Sequence, residues 1–523
     1  MGRPFSSSYV AGEPAARAFI PLDFRSAEAR VARTRAAAAG RLDPALADEL
    51  RAQQARLPGS PARDANLASL IAGDTAVVAT GQQVGLFLGP LYSFYKAASA
   101  IAVARALAVE SGVRVVPLFW LQTEDHDFAE IASCTVAGAD GAPARLSLAE
   151  EPSGHDRMSV AHRRLGPEIA PLLDRLEETL PPSPAATETL ALLRVHYRTG
   201  EPLAAAFGGV MAALFADEGL LIFDPRVPSV ARLAAPLYRR AVAETDAIGA
   251  ELADRAAALE AAGFDVQIPV RPDCALVFHH QASVTGARYR LRRDRHDPEV
   301  ASLLEREPLR FSTSALLRPI VQDSLLPTAA YVGGPAEVSY FAQLDPLYRR
   351  FGLDLPIIVP RARFVCVGAP DRRRLARVGL SARDVLAGHE PQALSRPAGA
   401  PDPEALAARA REIAAQANVL SVAIAGALPK DRNLVRAAAR TTGRIEGALQ
   451  GMILRYRATL AARDAANAIR LARLRAALAP GGVPQERVYA WPSLAARHGV
   501  LVFKRAVLDR LSPFSGALEE LEP

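Results

Sequence analysis

Three clusters in this 523-residue chain have the residue types and spacing that chemistry needs. The first runs from Thr80 through Gly81, Gln82, Gln83 and Gly85 to Gly89, Tyr92 and Lys96. Its glycines let backbone approach a ligand closely, and a helix starting near Pro90 would aim its positive end at the same place. A phosphate or carboxylate suits that position, with Lys96 one turn into the helix as a point charge. The run is neither a Walker loop nor GxGxxG; a plain strand-to-helix turn is the structural alternative. The second cluster, Glu124-Asp125-His126-Asp127, directly follows an apolar run. His126 with one carboxylate as its orienter would serve as a general base. Adjacent side chains diverge, so no metal site is expected there, and Asp125 or Asp127 would otherwise cap the next helix. The third cluster comprises Arg318, Gln322, Asp323, Tyr331, Gly333, Gly334, Glu337 and Tyr340. It reads as a second strand-to-helix turn that recognises a small molecule, or as a second structural turn. His279-His280 lies in a strand-like stretch with no carboxylates nearby and reads as structural.

The elements that must position these clusters follow from hydrophobic pattern. Thr75–Thr80 is a β-branched run, Leu91–Val109 is helical, and Val113–Phe119 is a further strand. Strand, Gly loop, helix and strand make a βαβ unit, so the fold is α/β with a parallel sheet. Ligands then sit at the carboxyl ends of the strands, where residues 81–90 meet the segment after Trp120. Leu220–Phe223 is a third core strand, and residues 328–333 and 356–359 return to buried-strand character. Residues 27–58 read as two short helices. The stretches DVQIPV, CALVFHH and ARYRLR between Phe264 and about Leu291 suggest a small antiparallel insert.

From Pro401 to Pro480 the composition turns to Ala, Arg, Leu and Glu. Leu406, Ile413 and Leu420 repeat every seven residues. A second helix is expected from about Asn433 to Leu478, with Ile445, Leu449, Met452 and Tyr456, then Leu471, Leu474 and Leu478, on its apolar stripe; such a helix spans roughly 70 Å. Together they predict an antiparallel hairpin that projects as an arm. The expected segments are 1–70 (helical), 71–134 (first half of the core), 135–205 (insertion), 206–260 (core), 261–312 (β-rich insertion), 313–400 (second half of the core), 401–479 (arm) and 480–523 (return to the core).

Composition excludes several classes. Half the chain is hydrophobic and 23% is charged, as in a large folded protein. The net charge is only +6, the pI is near 9.4, and 59 of 62 basic residues are arginine, with lysine only at positions 96, 430 and 504. The densest runs, Arg288, Arg290, Arg292, Arg293 and Arg295, then Arg372 to Arg374, lack interleaved aromatics and read as solvated faces; no nucleic-acid partner is expected. Cys134, Cys274 and Cys366 form no CxxC pair, which points to a reducing cytoplasm. No apolar run reaches the ~18 residues of a membrane span, and the N-terminus carries no signal pattern.

The segments TGQQVGLFLGPLYSFYK, VPLFWLQTEDHDFAEI, LLRPIVQDSLLPTAAYVGGPAEVSYFAQLDPLYRRFGLDLPIIVPRA and PQERVYAWP resemble, in order, the BshC family of bacillithiol biosynthesis. The resemblance implies a Rossmann-like core with inserted connective segments and a coiled-coil arm used in homodimerisation. It also implies a ligase that joins the carboxyl of L-cysteine to the amine of glucosaminyl-malate, the last step to bacillithiol. Adenylation by ATP is the usual activation on a core resembling class I aminoacyl-tRNA synthetases, so ATP or ADP is an implied ligand. This chain has neither HIGH nor a KMSKS-like loop. Gln82, Gln83 and Lys96 sit where HIGH would be, and Arg361 or Arg363 could replace a phosphate-binding lysine. Two other readings stay open: a nucleotidyltransferase-like enzyme that makes an aminoacyl adenylate for another acceptor, and a non-catalytic scaffold.

Overall fold

The computed structural model describes residues 2–148, 157–292, 298–389, 401–462 and 465–523. The chain forms two compact units, Met1–Phe364 with Glu486–Leu521, and Val365–Gln485. The first is built on a five-stranded parallel sheet in the order Ile357–Pro360, Thr328–Gly333, Thr75–Gln82, Arg114–Leu121, Leu221–Phe223. Every residue of Thr328–Gly333, and all but the last of Thr75–Gln82, is buried, as continuous Val, Ala and Ile runs covered on both faces require. The chain adds strands to one side of Thr75–Gln82 and then returns to its other side. That reversal lies between Thr75–Gln82 and Thr328–Gly333, where parallel sheets open a ligand crevice at their carboxyl ends.

Helix Tyr92–Ser111 makes the first crossover and ends at Gly112, whose φ of 72° closes the last turn. Residues 27–58 supply helices Ala27–Ala38 and Pro44–Gln54. A three-stranded antiparallel sheet of Cys274–His280, Arg288–Arg292 and Phe311–Thr313 stands beside the parallel one. Asp265–Val270, expected as a strand, is irregular: the Gln343 side chain bonds both N–H and C=O of Ile268, at 3.0 and 2.9 Å, in place of a neighbouring strand. Among the described residues no helix is long and apolar enough to cross a membrane.

In the second unit, helices Pro403–Ala427 and Arg432–Ala462 pack together. Arg457 pairs with Glu404 at 2.6 Å and Thr442 Oγ1 donates to Ala417 O at 3.5 Å, so the pairing runs head to tail. The expected stripe is sheltered in part: Leu406, Ile445, Leu449 and Tyr456 are half-buried. Ala410, Ala414 and Ala417 are half-buried, whereas Ile413 and Leu420 are exposed; opposite them, Ile453 is buried and Met452 is exposed. Small alanines let the backbones close up and leave the larger side chains outside. Of the helix expected over 433–478, Arg432–Ala462 and Ala465–Leu478 are helical, residues 463–464 lying outside the described residues. Leu474 and Leu478 are spent on a separate core with Val365, Val367, Leu375, Val378 and Val385.

Candidate functional site

A cavity of about 370 Å³ opens at the crevice between Thr75–Gln82 and Thr328–Gly333. All three sequence clusters contribute to its wall, but not with every residue. Gly81, Gln82, Gln83, Tyr92 and Lys96 line it from the first, Glu124 and Asp125 from the second, and Arg318, Gly334, Glu337 and Tyr340 from the third.

The floor is a network of buried charge. Lys96 Nζ donates to Gly81 O at 2.7 Å and to Gln82 Oε1 at 2.8 Å, and pairs with Glu337. Glu337 also accepts from Tyr331 Oη at 2.5 Å and from the Gly334 N–H at 2.8 Å, at the start of helix Pro335–Phe341. Glu337 therefore fills the turn that looked ready for a substrate anion. Burial works against its charge, but Lys96 outweighs it and holds the carboxyl below the ordinary glutamate range. Arg318 donates to Gln322 Oε1, Tyr331 Oη and Tyr340 Oη at 2.9, 3.2 and 2.8 Å. Behind it Gln322 bonds Asp323, which also takes the Tyr348 hydroxyl. Gln322, Asp323, Tyr331 and Gly333 thus support the wall without being on it. Arg361 reaches the wall but is held by both oxygens of Glu486 at 2.8 and 2.9 Å, and Arg363 shares that carboxylate.

Gly85 and Gly89 serve the turn, not the cavity. A Cβ on Gly85 would lie 3.0 Å from Gly89 Cα, and Phe87 and Leu88 between them adopt φ of 49° and 72°. Such left-handed conformations cost of order 1–3 kcal/mol each in non-glycine residues. The turn is held by Tyr197, whose hydroxyl accepts from the Leu88 N–H at 3.2 Å and whose ring meets Phe87.

The acidic cluster divides its labour. Asp127 caps helix Phe128–Ile131 by accepting from the Glu130 N–H at 3.1 Å and is exposed. Glu124 is buried and accepts from the Thr313 hydroxyl. Asp125 accepts from Gln83 Nε2 at 2.7 Å and from Arg288 Nη1 at 3.1 Å. Although burial opposes it, the bond with His126 and the Arg288 charge hold the Asp125 carboxyl well below the usual range. His126 stands behind Asp125, its Nδ1 3.0 Å from Arg288 Nη1 and 3.2 Å from Asp125 Oδ1.

Three charged wall residues, Arg288, Arg487 and Glu130, were not among the expected site residues. Arg288, expected on a solvated face, is buried over the Phe278 ring at 3.8 Å and donates to Asp125, Ser312 and Thr313 O. Of the rest of that run, Arg292 is exposed, and Arg293 and Arg295 lie outside the described residues. Arg487 is exposed on the wall and has no hydrogen bond or ion pair among the described residues. Glu130, also exposed on the wall, accepts from the Gln83 side chain and pairs with no cation among the described residues. Partial burial, then Asp127 and Asp125, raise the Glu130 carboxyl above its ordinary value. Burial pushes the Tyr92 hydroxyl up to about 12, with Glu130 adding to that shift and Arg487 opposing it. The signals available were the QERVYAWP segment and an acid three residues after Asp127, both weak without the fold. Among the described residues no three His, Cys, Asp or Glu side chains converge as a metal site needs.

A family model described as bacillithiol biosynthesis BshC, N-terminal Rossmann-like domain, matches residues 2–362, which hold every named wall residue except Arg487. A Koribacter versatilis protein named as a candidate cysteine ligase BshC is 38% identical over 351 residues, 65% of this chain and 64% of its own, just under two thirds of that relative. Its Salinibacter ruber namesake is 36% identical over 383 residues, 71% and 70% of the two chains. A Geobacillus thermodenitrificans namesake is 30% identical over 471 residues, 85% and 84%.

The Lys96–Glu337 pair sets a pH dependence. Because Glu337 is held below its unfolded value, its contribution to stability is full above that value and is lost as pH falls through the folded one. Glu337→Gln leaves Lys96 buried without its counter-charge and is expected to cost about 3–5 kcal/mol near pH 7. The gap to wild type should narrow in acid, which urea denaturation at neutral and acidic pH measures.

Proposed function

Because the chain belongs to the BshC family, we propose that it is a cysteine ligase of bacillithiol biosynthesis, with the crevice cavity as its active site. The reaction joins the carboxyl of L-cysteine to the amine of glucosaminyl-malate, the pathway's last step. The observation that carries this reading is the pairing state of the wall: Lys96, Arg318 and Arg361 are committed within the protein, while Arg487 has no partner among the described residues and Glu130 is bonded to the neutral Gln83 side chain but to no cation there. A free guanidinium takes a carboxylate, as malate carries. A carboxylate without a cation partner and with a raised pKa holds an amine and accepts its proton as nitrogen attacks the acyl carbon. Arg288 adds a fixed cation beside Asp125. An enzyme needs such groups and a scaffold does not.

Amide formation requires an activated cysteine carboxyl, whose leaving group departs as the C–N bond forms. ATP is the proposed source of activation. The wall fits its triphosphate poorly, since the cations expected to meet it, Lys96 and Arg361, are neutralised by Glu337 and Glu486. The roles above are therefore derived from the chain's own side chains, without a nucleotide.

We also propose that the chain works as a homodimer through the helical hairpin of the second unit, with a second copy covering Ile413 and Leu420, both exposed on one face of Pro403–Ala427. A polar solvated arm would not need large apolar side chains there. The three cysteines are free thiols, in keeping with a cytoplasmic location.

Incubation with L-cysteine and glucosaminyl-malate, with and without ATP, should give bacillithiol by mass spectrometry only when ATP is present. Absence of product in both overturns the ligase reading, and pyrophosphate release from ATP and cysteine alone favours an adenylate made for another acceptor. Arg487→Gln should raise KM for glucosaminyl-malate about tenfold, the worth of one charge-assisted bond, with little change for cysteine. Leu420→Glu should shift the sedimenting species from dimer to monomer; an unchanged dimer refutes the arm as its interface.

A further inference from the structure

His280 was set aside on sequence grounds, yet it joins the cavity through a directed chain of hydrogen bonds. On Cys274–His280 neighbouring residues face opposite ways. His279 faces outward, stacked on Phe311 and bonded to Arg310. His280 faces inward and is fully buried, with Nδ1 3.2 Å from Gly286 O and Nε2 3.1 Å from Ser312 Oγ. A carbonyl only accepts, so Nδ1 bears the proton and Nε2 is bare. Burial, then the charge of Arg226, pushes the imidazolium form down to about 2, so the ring stays neutral.

Ser312 must then donate its hydroxyl proton to His280 Nε2. Its lone pairs are left to accept from Arg288 Nε, 3.0 Å away, a group that can only donate. Every bond in the series points the same way, from Arg288 to Ser312 to His280 to the Gly286 carbonyl, and such series strengthen one another. At the far end Arg288 Nη1 serves Asp125 and His126, and Nη2 serves Thr313 O at 2.6 Å. Four of its five N–H groups are thus committed, and one Nη2 N–H is left for the cavity that Arg288 lines.

We propose that His280, acting through Ser312, is a positioning residue that fixes the plane in which the Arg288 guanidinium meets Asp125 and presents its remaining N–H to substrate. The proposal rests on the crevice cavity being the ligase site. With a side chain at position 280 that cannot accept, the Ser312 hydroxyl is free to turn, and the acceptor that orients Arg288 Nε turns with it.

The test compares Ser312→Ala, His280→Leu, His280→Gln, the double variant His280→Leu/Ser312→Ala, and His279→Asn, by steady-state kinetics, thermal unfolding and crystal structures. Ser312→Ala and His280→Leu should each lower kcat/KM about tenfold. The double variant should be no worse than the poorer single one, because both break one path. Gln at 280, which keeps an acceptor near the Nε2 position, should restore most of the rate, and His279→Asn should match wild type. In the Ser312→Ala crystal structure the Arg288 guanidinium should leave Asp125. Wild-type kinetics in His280→Leu, additive losses, or equal rates for the Leu and Gln variants would overturn the proposal. If His280→Leu does not fold, Ser312→Ala and His280→Gln still decide it. If wild type forms no amide, the ligase reading fails by itself; the position of Arg288 in the Ser312→Ala structure then supports the relay if displaced and refutes it if unchanged.

Discussion

The ion pair between Lys96 and Glu337 governs the rest of the site. The two strands flanking the crevice, Thr75–Gln82 and Thr328–Gly333, each lead into a helix, and the pair ties one helix to the other across the gap. Lys96 is buried and Glu337 half-buried, so the pair is costly to break. Their hydrogen bonds also fix Gly81, Gln82, Gly334 and Tyr331, which shape the cavity floor. A crevice that parallel sheets would leave open in any case becomes a defined chamber here because opposite charges close its base.

That closure dictates what remains for a ligand. Cations neutralised inside the protein shape the wall but recognise nothing, so recognition passes to groups brought from elsewhere. Arg288 comes from the small antiparallel sheet, Arg487 from the C-terminal segment, and Glu130 from the short helix Phe128–Ile131 that follows Arg114–Leu121. Distant stretches of chain thus add specificity to a chamber the core supplies.

Much of this was legible in the sequence. Apolar β-branched runs that end in polar residues mark strand ends wherever a sheet is buried on both faces, so Gln83, Glu124 and Asp125 fall on the wall as expected. Partnership was not legible. Nothing in the local pattern shows that Glu337 would take up Lys96, or that Asp127 would be spent as a cap. Arg288 was hidden because one buried arginine inside an arginine-rich run looks like its solvated neighbours until the fold places Phe278 and Asp125 around it. The hairpin's stripe was legible only in part for a related reason: heptad spacing at Leu406, Ile413 and Leu420 picks out a face, but Ala410, Ala414 and Ala417 took the contact where Ile413 and Leu420 were expected. The irregular Asp265–Val270 turned on a glutamine 75 residues distant, beyond any local signal.

The cradle around Lys96 bears on how this protein can drift. Its three acceptors, a backbone carbonyl, an amide oxygen and a carboxylate, match the three N–H groups of an ammonium and surround a point. A planar guanidinium carries five donors in a rigid fork and cannot satisfy that arrangement. In a chain where arginine has displaced nearly all other lysines, a single-base codon change from lysine to arginine is always at hand. At position 96 that change would pry the chamber's base apart, so mutational pressure that is neutral over most of the surface becomes purifying at this one site.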